Sequence, residues 1–309
     1  MIANFTAAAK LGSIAPHLYN LFINNIITGS LVKLISSFAL KRSMPSLSVQ
    51  TLQAWYQKNY QSPIDPKKTV YLFCDEFTNY NDASIGIKAI QLLTALGYEV
   101  IIPAHEESGR TWLSKGLVRK AKKIANTNIE KLSHLVSEAN PLIGIEPSAI
   151  LTFRDEYPDL ATDENVAAAN HLAKYSFFID EFIAKEMETG AITKNQFTQR
   201  DQSILLHGHC QQKAVGSLAD SVKVLSFPTN FNVETIPSGC CGMAGSFGYE
   251  KEHYEVSMNI GELVLFPKVR ANKGSCTIAA PGTSCRHQIK DGTGEKALHT
   301  VEILHAALA

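Results

Sequence analysis

Four cysteines in the C-terminal part of the chain have the residue type and spacing of a metal-binding centre. Cys210, the adjacent pair Cys240 and Cys241, and Cys285 each fall in a loop that follows a predicted β-strand. Neighbouring thiolates repel one another, and a soft cation resolves that repulsion by holding them deprotonated. The candidate groups are an iron–sulfur cluster and a four-cysteine zinc site. Two adjacent cysteines favour the cluster, because a cluster offers separate metal atoms to side chains that point apart.

Glycines recur at every third residue around the cysteine pair, at Gly239, Gly242, Gly245 and Gly248. Glycine lets backbone N–H groups approach closely and donate hydrogen bonds to thiolate or inorganic sulfur. The same residues also suit an ordinary tight turn. The run lacks the lysine of a phosphate-binding loop and the spacing of a dinucleotide fingerprint. Gly239 and Gly242 are therefore predicted to help hold a cofactor of the metal–sulfur kind.

The elements that must position these cysteines alternate between strand and helix. Apolar β-rich runs predict strands, and an amphipathic pattern over residues 82–96 predicts a helix between the first two of them. The predicted strands cover residues 69–73, 99–102 and 142–145. This alternation predicts a parallel sheet with helical crossovers. Because loops at the carboxyl ends of parallel strands meet in one crevice, we expect the cysteine-bearing loops to converge.

The pattern of strands and helices occurs twice in the chain. Cys74 aligns with Cys210, residues 105–108 align with the cysteine pair, and Ala149 stands where the last cysteine would be. A period of well over one hundred residues indicates a duplicated domain. The predicted fold class is α/β, with two tandem Rossmann-like parallel-sheet halves preceded by an N-terminal helical arm. The predicted boundaries are 1–65 for the arm, 66–200 for the first, degenerate repeat and 201–309 for the second repeat, with one long helix over residues 165–189 and a polar linker over residues 189–202.

The arm differs in charge from the rest of the chain, since residues 1–60 contain no aspartate or glutamate. One interpretation is an amphipathic surface helix whose basic residues Lys33, Lys41 and Arg42 contact anionic lipid. The other is a helical arm that packs on this protein or on a partner domain, which the sparse basic residues favour. The first interpretation places these apolar residues on one helix face: Ile23, Ile27, Leu31, Leu34, Ile35 and Phe38.

Composition limits the classes of function. The 309 residues include 29 basic and 29 acidic side chains, so overall charge does not draw the protein to nucleic acid. The most apolar stretch, residues 18–40, is interrupted by asparagines and a lysine and is too polar to predict a membrane span. No secretory signal pattern is present. We expect a cytoplasmic location, with peripheral membrane association as an alternative.

Three motifs of the second repeat resemble the cysteine-rich CCG domain. The motifs are His207-Gly-His-Cys-Gln-Gln-Lys213, Gly239-Cys-Cys-Gly-Met-Ala-Gly-Ser-Phe-Gly248 and Gly282-Thr-Ser-Cys-Arg-His-Gln288. That domain occurs in the B subunit of heterodisulfide reductase, in the C subunit of anaerobic glycerol-3-phosphate dehydrogenase, in lactate-utilisation iron–sulfur proteins and at the C-terminus of FAD-linked oxidases. The resemblance covers residues 68–309, and residues 146–158 are similar to the first-copy signature.

The resemblance implies an iron–sulfur electron-transfer module of an FAD-linked 2-hydroxyacid-type oxidoreductase, acting on a substrate like lactate or glycolate. Electrons would pass from flavin through this domain to a quinone or another acceptor. The chain has no flavin fingerprint and no ferredoxin cysteine run. The FAD-binding dehydrogenase domain and a ferredoxin-type domain are therefore implied as partners. The arm resembles the segment that links ferredoxin-type clusters to this domain in fused oxidases.

The chain departs from the family pattern at one residue that affects which cofactor is predicted. Family members with an unusual non-cubane cluster carry a second cysteine three residues before the last one, where this chain has Gly282. Cys210, Cys240, Cys241 and Cys285 suffice for an ordinary 4Fe-4S cluster, which is the predicted cofactor. The alternatives are a zinc-bound or metal-free assembly domain, since zinc can replace a lost cluster in the purified protein, and a thiol/disulfide reductase component.

The other cysteines and the histidines near the motifs have ordinary structural interpretations beside the functional ones. Cys74 is expected to be a buried thiol and Cys276 a packing residue on a strand over residues 276–280. His207 and His209 precede the first cysteine closely enough to tune a cluster or donate a proton. Arg286 and His287 either balance cluster charge or cap a helix, and His299 is expected to be structural.

Overall fold

The structure is a computed structural model and describes residues 4–309. Its first part is an arm of four short helices. Asn25 begins the third helix, because its side chain accepts hydrogen bonds from the backbone N–H groups of Ile27 and Thr28. Thr51 begins the fourth in the same manner. The helices are α1 (Phe5–Gly12), α2 (Pro16–Asn24), α3 (Ile26–Ile35) and α4 (Leu52–Asn59).

The first half contains a four-stranded sheet and its connecting helices. Its strands are largely buried apolar runs, as expected for strands covered by helices on both faces. The strands are β1 (Lys68–Phe73), β2 (Tyr98–Ile101), β3 (Leu142–Gly144) and β4 (Ser176–Phe178). The helices are α5 (Glu76–Tyr80), α6 (Ala83–Ala95), α7 (Arg110–Leu113), α8 (Val118–Leu132), α9 (Pro147–Ile150), α10 (Glu156–Leu160), α11 (Val166–Tyr175) and α12 (Ile179–Glu188).

The second half repeats this arrangement around a three-stranded sheet. Its strands are β5 (Gln202–Leu206), β6 (Phe231–Thr235) and β7 (Thr277–Ala279). Leu298 bridges to Ala279 in parallel, at the place that β4 takes in the first half. The helices are α13 (Cys210–Val215), α14 (Leu218–Leu225), α15 (Tyr254–Leu263), α16 (Leu265–Ala271), α17 (Thr283–Thr293) and α18 (Thr300–His305).

Both sheets are parallel, and each has its first strand in the interior. The first sheet has the order β2-β1-β3-β4 and the second the order β6-β5-β7. In both sheets, the second strand along the chain lies on one side of the first strand, and the third lies on the other side. In open α/β sheets, ligands bind at the carboxyl ends of the strands beside the point where the strand order reverses. The predicted fold class, two parallel α/β halves after N-terminal helices, is confirmed.

The two halves interlock through helices. Helix α6 of the first half packs against α18 of the second, and α12 packs against α14. Lys88 and Glu302 form an ion pair across the first contact, at 3.0 Å. Asp180 of α12 accepts hydrogen bonds from Ser221 and Thr300 of the second half. One apolar core therefore spans both sheets.

The long helix predicted over residues 165–189 is wrong. Helices α11 and α12 are separated by β4, which pairs in parallel with β3. The Ser-Phe-Phe sequence of β4 suits a strand, and Phe178 is fully buried there. Arg154 donates a 2.8 Å hydrogen bond to the Ser176 carbonyl, and Glu181 of α12 accepts one from the Phe178 N–H. Tertiary pairing with the sheet thus overrides the local helical pattern.

The arm is not the single amphipathic helix of the lipid-contact interpretation. Helices α2 and α3 are bent by 83°, and Ile23 and Phe38 are buried whereas the other four residues of the proposed stripe are exposed. Arg42 is fully buried rather than available to lipid. No single described helix is long and apolar enough to cross a membrane, although α2 and α3 together reach that length and composition across their bend.

Arg42 fastens the arm to the second half. Its guanidinium donates to the Gly248 carbonyl at 2.9 Å, to Gln288 Oε1 at 2.7 Å and to Ser257 Oγ at 3.1 Å. Asp291 completes an ion pair with it at 3.2 Å. A buried arginine is tolerated only when its donors are satisfied in this way. The arm therefore packs on this protein, as the second interpretation of its sequence expected.

Candidate functional site

The first cysteine of the site begins a helix. His207, Gly208 and His209 follow β5, and Cys210 is the first residue of α13. The Nδ1 atom of His209 accepts a 3.2 Å hydrogen bond from the Gln211 N–H and so caps this helix. Cys210 is exposed to solvent. The strand end and the cap together hold its thiol at the mouth of the crevice.

The cysteine pair lies on a tight loop after β6. Gly242 has a φ of +95°, and a Cβ atom there would lie 2.2 Å from the Ser257 carbonyl oxygen, so only glycine fits. Its N–H donates to Cys240 Sγ at 3.3 Å. The carbonyl of Gly239 instead accepts a hydrogen bond from Lys213, at 3.0 Å. Of these two predicted glycines, Gly242 therefore contacts a cysteine sulfur and Gly239 ties the loop to α13.

The last cysteine comes from the third strand end. Cys285 is the third residue of α17, which follows β7, and it is 1% exposed. Glu146 of the first half reaches across and accepts a 2.8 Å hydrogen bond from the Thr283 N–H at the start of that helix. The first half thus helps to position a cysteine of the second. Sequence patterns gave no signal for this contact.

The four thiols converge into one contiguous group, as expected from parallel strand ends. The side chains interact in series, Cys210 with Cys240, Cys240 with Cys241, and Cys241 with Cys285. A ring nitrogen of His207 and the Sγ atoms of Cys241 and Cys285 all lie within 4.8 Å of one another. Cys276 is not part of this group. It lies just before β7 rather than within the strand predicted for it, and its thiol is 3.8 Å from the Asn272 carbonyl oxygen.

Interactions within the group raise and lower the pKa values of the thiols alternately along the series Cys210, Cys240, Cys241 and Cys285. The hydrogen bond from Cys210 lowers the pKa of Cys240, and the hydrogen bond from Cys241 lowers the pKa of Cys285. The hydrogen bonds that Cys240 accepts raise the pKa of Cys210 and of Cys241. Cys240 and Cys285 are therefore the more acidic members of the group. A metal centre replaces such shared protons with a cation that favours all four thiolates.

The donor atoms of these residues are of the kind that binds a metal–sulfur group. Four sulfur donors meet at a site whose inner side is buried, with Cys241 4% exposed, and a backbone N–H already points at one sulfur. His207 is fully buried, and its Nε2 atom has no hydrogen-bond partner among the described residues. A buried polar atom without a partner, aimed toward converging thiols, is expected where a bound group completes the site.

Three nearby residues have partners away from the thiols. Arg286 forms an ion pair with Asp82 at 2.6 Å, and His287 Nδ1 lies 3.1 Å from the Tyr249 hydroxyl. His299 caps α18 by accepting a 3.0 Å hydrogen bond from the Val301 N–H, and burial lowers its pKa to about 3. The structural interpretation of His299 is therefore supported.

The equivalent place in the first half contains no group of thiols among the described residues. Cys74 directly follows β1 and is buried, and burial raises its pKa. Its alignment with Cys210 is wrong, because the residue that begins the helix after β1 is Glu76. Ala149, in contrast, is the third residue of α9 and so matches the place of Cys285 in α17.

Comparison with known proteins finds oxidoreductase relatives. No protein-family model matches the chain. It is 27% identical over 317 residues to D-2-hydroxyglutarate dehydrogenase of Escherichia coli, a match that covers 98% of this chain and 30% of that protein. It is 26% identical over 271 residues to the C subunit of the anaerobic glycerol-3-phosphate dehydrogenase of Escherichia coli, a match that covers 87% of this chain and 66% of that protein.

A further relative is matched over nearly its whole length. The chain is 26% identical over 249 residues to lactate utilization protein A of Macrococcus caseolyticus, a match that covers 76% of this chain and 96% of that protein. The chain spans less than one third of the D-2-hydroxyglutarate dehydrogenase that it matches.

Proposed function

We propose that this chain is an oxidoreductase component of the cysteine-rich CCG type, an iron–sulfur electron-transfer module of an FAD-linked 2-hydroxyacid-type enzyme. The convergence of Cys210, Cys240, Cys241 and Cys285 from three strand-end loops carries the proposal. Four cysteine ligands suffice for a 4Fe-4S cluster. Relatives named as dehydrogenases and as a lactate utilization protein support a general oxidoreductase role.

The chain's own residues would bind and tune such a centre. The four cysteines would hold it, and when bound it would supply one-electron transfer. Gly242 N–H is already placed to stabilise negative charge on Cys240 sulfur. Cys285 and Cys241 lie on the buried side, whereas Cys210 is exposed, so electrons would enter or leave on the Cys210 side.

The test is purification without oxygen. A brown protein with about four irons per chain, and with an absorption band that dithionite bleaches, supports the proposal. A colourless protein with one zinc per chain supports the second candidate, a zinc-stabilised assembly domain. The mixed nitrogen and sulfur group of His207, Cys241 and Cys285 is the observation that favours zinc. A protein that takes up neither metal after reconstitution contradicts both.

The arm is the proposed docking surface for the flavoprotein. Its exposed large apolar side chains have no covering element among the described residues, and the relative that the chain matches at 27% identity is more than three times as long. Such a patch is typical of an interface. We therefore place FAD on a partner chain or on a further domain, together with a ferredoxin-type centre. The exposed apolar residues are Leu11, Ile14, Leu18, Leu21, Phe22, Ile26, Ile27, Leu31, Leu34, Ile35 and Leu40.

Co-expression with a flavoprotein encoded beside this chain tests the interface. We expect flavin absorbance to co-elute with the native chain and to be lost with Ile27→Glu combined with Leu31→Glu. The control Leu263→Glu removes an equally exposed apolar side chain outside the arm and leaves co-elution unchanged. Binding of the native chain to anionic vesicles without flavoprotein binding would contradict this docking surface and support a peripheral membrane location. A cytoplasmic location otherwise remains part of the proposal.

A further inference from the structure

His207 is buried beside the thiols, and among the described residues only one of its two ring nitrogens has a hydrogen-bond partner. The residue directly follows β5 and is 0% exposed. Its Nδ1 atom lies 2.8 Å from Ser238 Oγ, on the loop that carries the cysteine pair. Its Nε2 atom has no hydrogen-bond partner among the described residues. Buried polar atoms are almost always hydrogen-bonded, so this free nitrogen requires a partner that the site itself supplies.

The nearest candidate partners for this nitrogen are the buried thiols of the site. The atoms within 4.8 Å of a His207 ring nitrogen include Sγ of Cys241 and Sγ of Cys285. These two cysteines are the buried pair of the four, at 4% and 1% exposure, so bulk water does not compete there. The interaction with His207 also contributes to the lowered pKa of Cys285, after the larger contribution of Cys241. A donor on Nε2 would therefore face thiolate sulfur in a dry environment, where hydrogen bonds to charged groups are strong.

The second histidine of the motif has a different environment. His209 uses Nδ1 to cap α13, and its Nε2 lies 4.0 Å from Glu146 Oε1. Its ring also fills the space in front of Gly282, where an added Cβ would lie 2.4 Å from Cδ2 of His209. His209 is thus engaged with backbone and carboxylate.

We infer that His207 donates a hydrogen bond from Nε2–H to sulfur of the metal centre, on the side of the centre that Cys285 would hold. This hydrogen bond raises the reduction potential of the centre. In this arrangement the Ser238 hydroxyl, 2.8 Å from Nδ1, is the donor to Nδ1, and the imidazole carries its proton on Nε2. A hydrogen bond to a ligand sulfur withdraws charge from the centre and favours the reduced form. This inference rests on the proposed iron–sulfur function, and it makes His207 a positioning and tuning residue rather than a ligand.

The test is the reduction potential at one fixed pH, measured on protein purified without oxygen. We expect His207→Ala to keep its iron and its visible spectrum while its potential becomes more negative. His207→Gln retains an amide donor and is expected to recover part of the shift. Ser238→Ala removes the partner of Nδ1 and should give a smaller shift in the same direction. His171→Asn replaces a histidine of α11 in the first half, away from the thiols, and should leave the potential near that of the native protein.

The outcomes separate this inference from the proposed function. Native protein without iron would contradict the proposed function itself. Iron-loaded His207→Ala with an unchanged potential would overturn the hydrogen bond while leaving the iron–sulfur assignment in place. Labelling histidine with ¹⁵N gives an independent check by electron–nuclear double resonance of the reduced protein. A strong ¹⁵N coupling that disappears in His207→Ala would show direct metal ligation and overturn the donor role, whereas a weak coupling that disappears supports it.

Discussion

The two halves of this protein place different chemistry at the same positions of one scaffold. In the first half, the helix after the first strand begins with Glu76, whose carboxylate accepts from the Ser108 N–H at 2.9 Å and from its hydroxyl at 2.7 Å. In the second half, the matching helix begins with Cys210, whose thiol contacts Cys240. The third strand is followed by Ala149 in one half and by Cys285 in the other.

The two halves differ in whether the buried polar groups at this position have hydrogen-bond partners. The carboxylate and hydroxyl of the first half satisfy each other, and Tyr157 adds a hydrogen bond to the Ser108 carbonyl. Burial raises the pKa of Glu76, while the hydrogen bonds from Ser108 oppose that rise. The second half satisfies its donors only by sharing protons between thiols and leaves His207 Nε2 without a partner among the described residues. The first half thus provides structural support, and the second is the half for which we propose a metal centre.

The strongest test of the comparison removes a thiol. Cys241→Ser should reduce the iron content from about four per chain to nearly none, because a buried hydroxyl is a poor ligand for iron. The matched control Cys276→Ser should keep the native iron content, since that thiol lies outside the group of four. Iron and absorbance measurements on protein prepared without oxygen decide the matter. Loss of iron from Cys276→Ser would show that the ligand set is misassigned.

Removal of the first-half carboxylate should cost stability rather than iron. Glu76→Ala leaves the buried N–H and hydroxyl of Ser108 without their acceptor, so we expect a loss of about 3 kcal/mol in the free energy of unfolding. Urea denaturation measures this loss. The control Glu106→Ala removes an exposed carboxylate paired with Lys131 and should cost less than about 1 kcal/mol. An iron-free Glu76→Ala protein of native stability would reverse the roles assigned to the two halves.

The helix caps of the two halves predict a pH effect. Asp75 caps α5 where His209 Nδ1 caps α13, and burial raises the pKa of Asp75 to about 8. Between about pH 4 and pH 8 the folded state retains a proton that the unfolded state has lost. The free energy of unfolding therefore falls as pH rises through this range, by up to about 1.4 kcal/mol per pH unit from this group.

Asp75→Asn keeps an acceptor for the Phe77 and Thr78 N–H groups but cannot ionise. We expect the variant to lose less stability than the native protein between pH 5 and pH 8, as followed by urea denaturation at each pH. Asp65→Asn, at an exposed position, serves as the control and should reproduce the native profile. Parallel profiles for Asp75→Asn and the native protein would contradict a protonated Asp75.

The smallest expected effect comes from adding a thiol to the first half. Ala149→Cys places sulfur where the second half has Cys285, but Glu76 and Ser108 still occupy the rest of the site. We expect an unchanged iron content and a loss of about 1 kcal/mol in stability, because the alanine is fully buried in a packed core. A gain of iron over the native protein would show that the first half lacks only this one donor.

Much of the fold was predictable because its signals are local. The predicted strands over residues 69–73, 99–102 and 142–145 match β1, β2 and β3 within one residue at each end. The helix predicted over residues 82–96 matches α6 equally well. Alternation of strands and helices then implies parallel sheets by the rules of chain connection. The break at β4 was not predictable, because pairing with β3 decides it rather than the sequence of residues 165–189.

For the candidate site, too, some features were predictable from the sequence and others were not. Cysteines that follow the ends of parallel strands are expected to approach one another, so residue type and spacing by themselves predicted this group of thiols. Only the tertiary structure decided that Glu76, not Cys74, is the counterpart of Cys210, since that depends on the residue at which each helix begins. It also buried Arg42 and directed His207 toward sulfur. Burial and side-chain direction arise from contacts between residues far apart in the chain, and no local pattern encodes them.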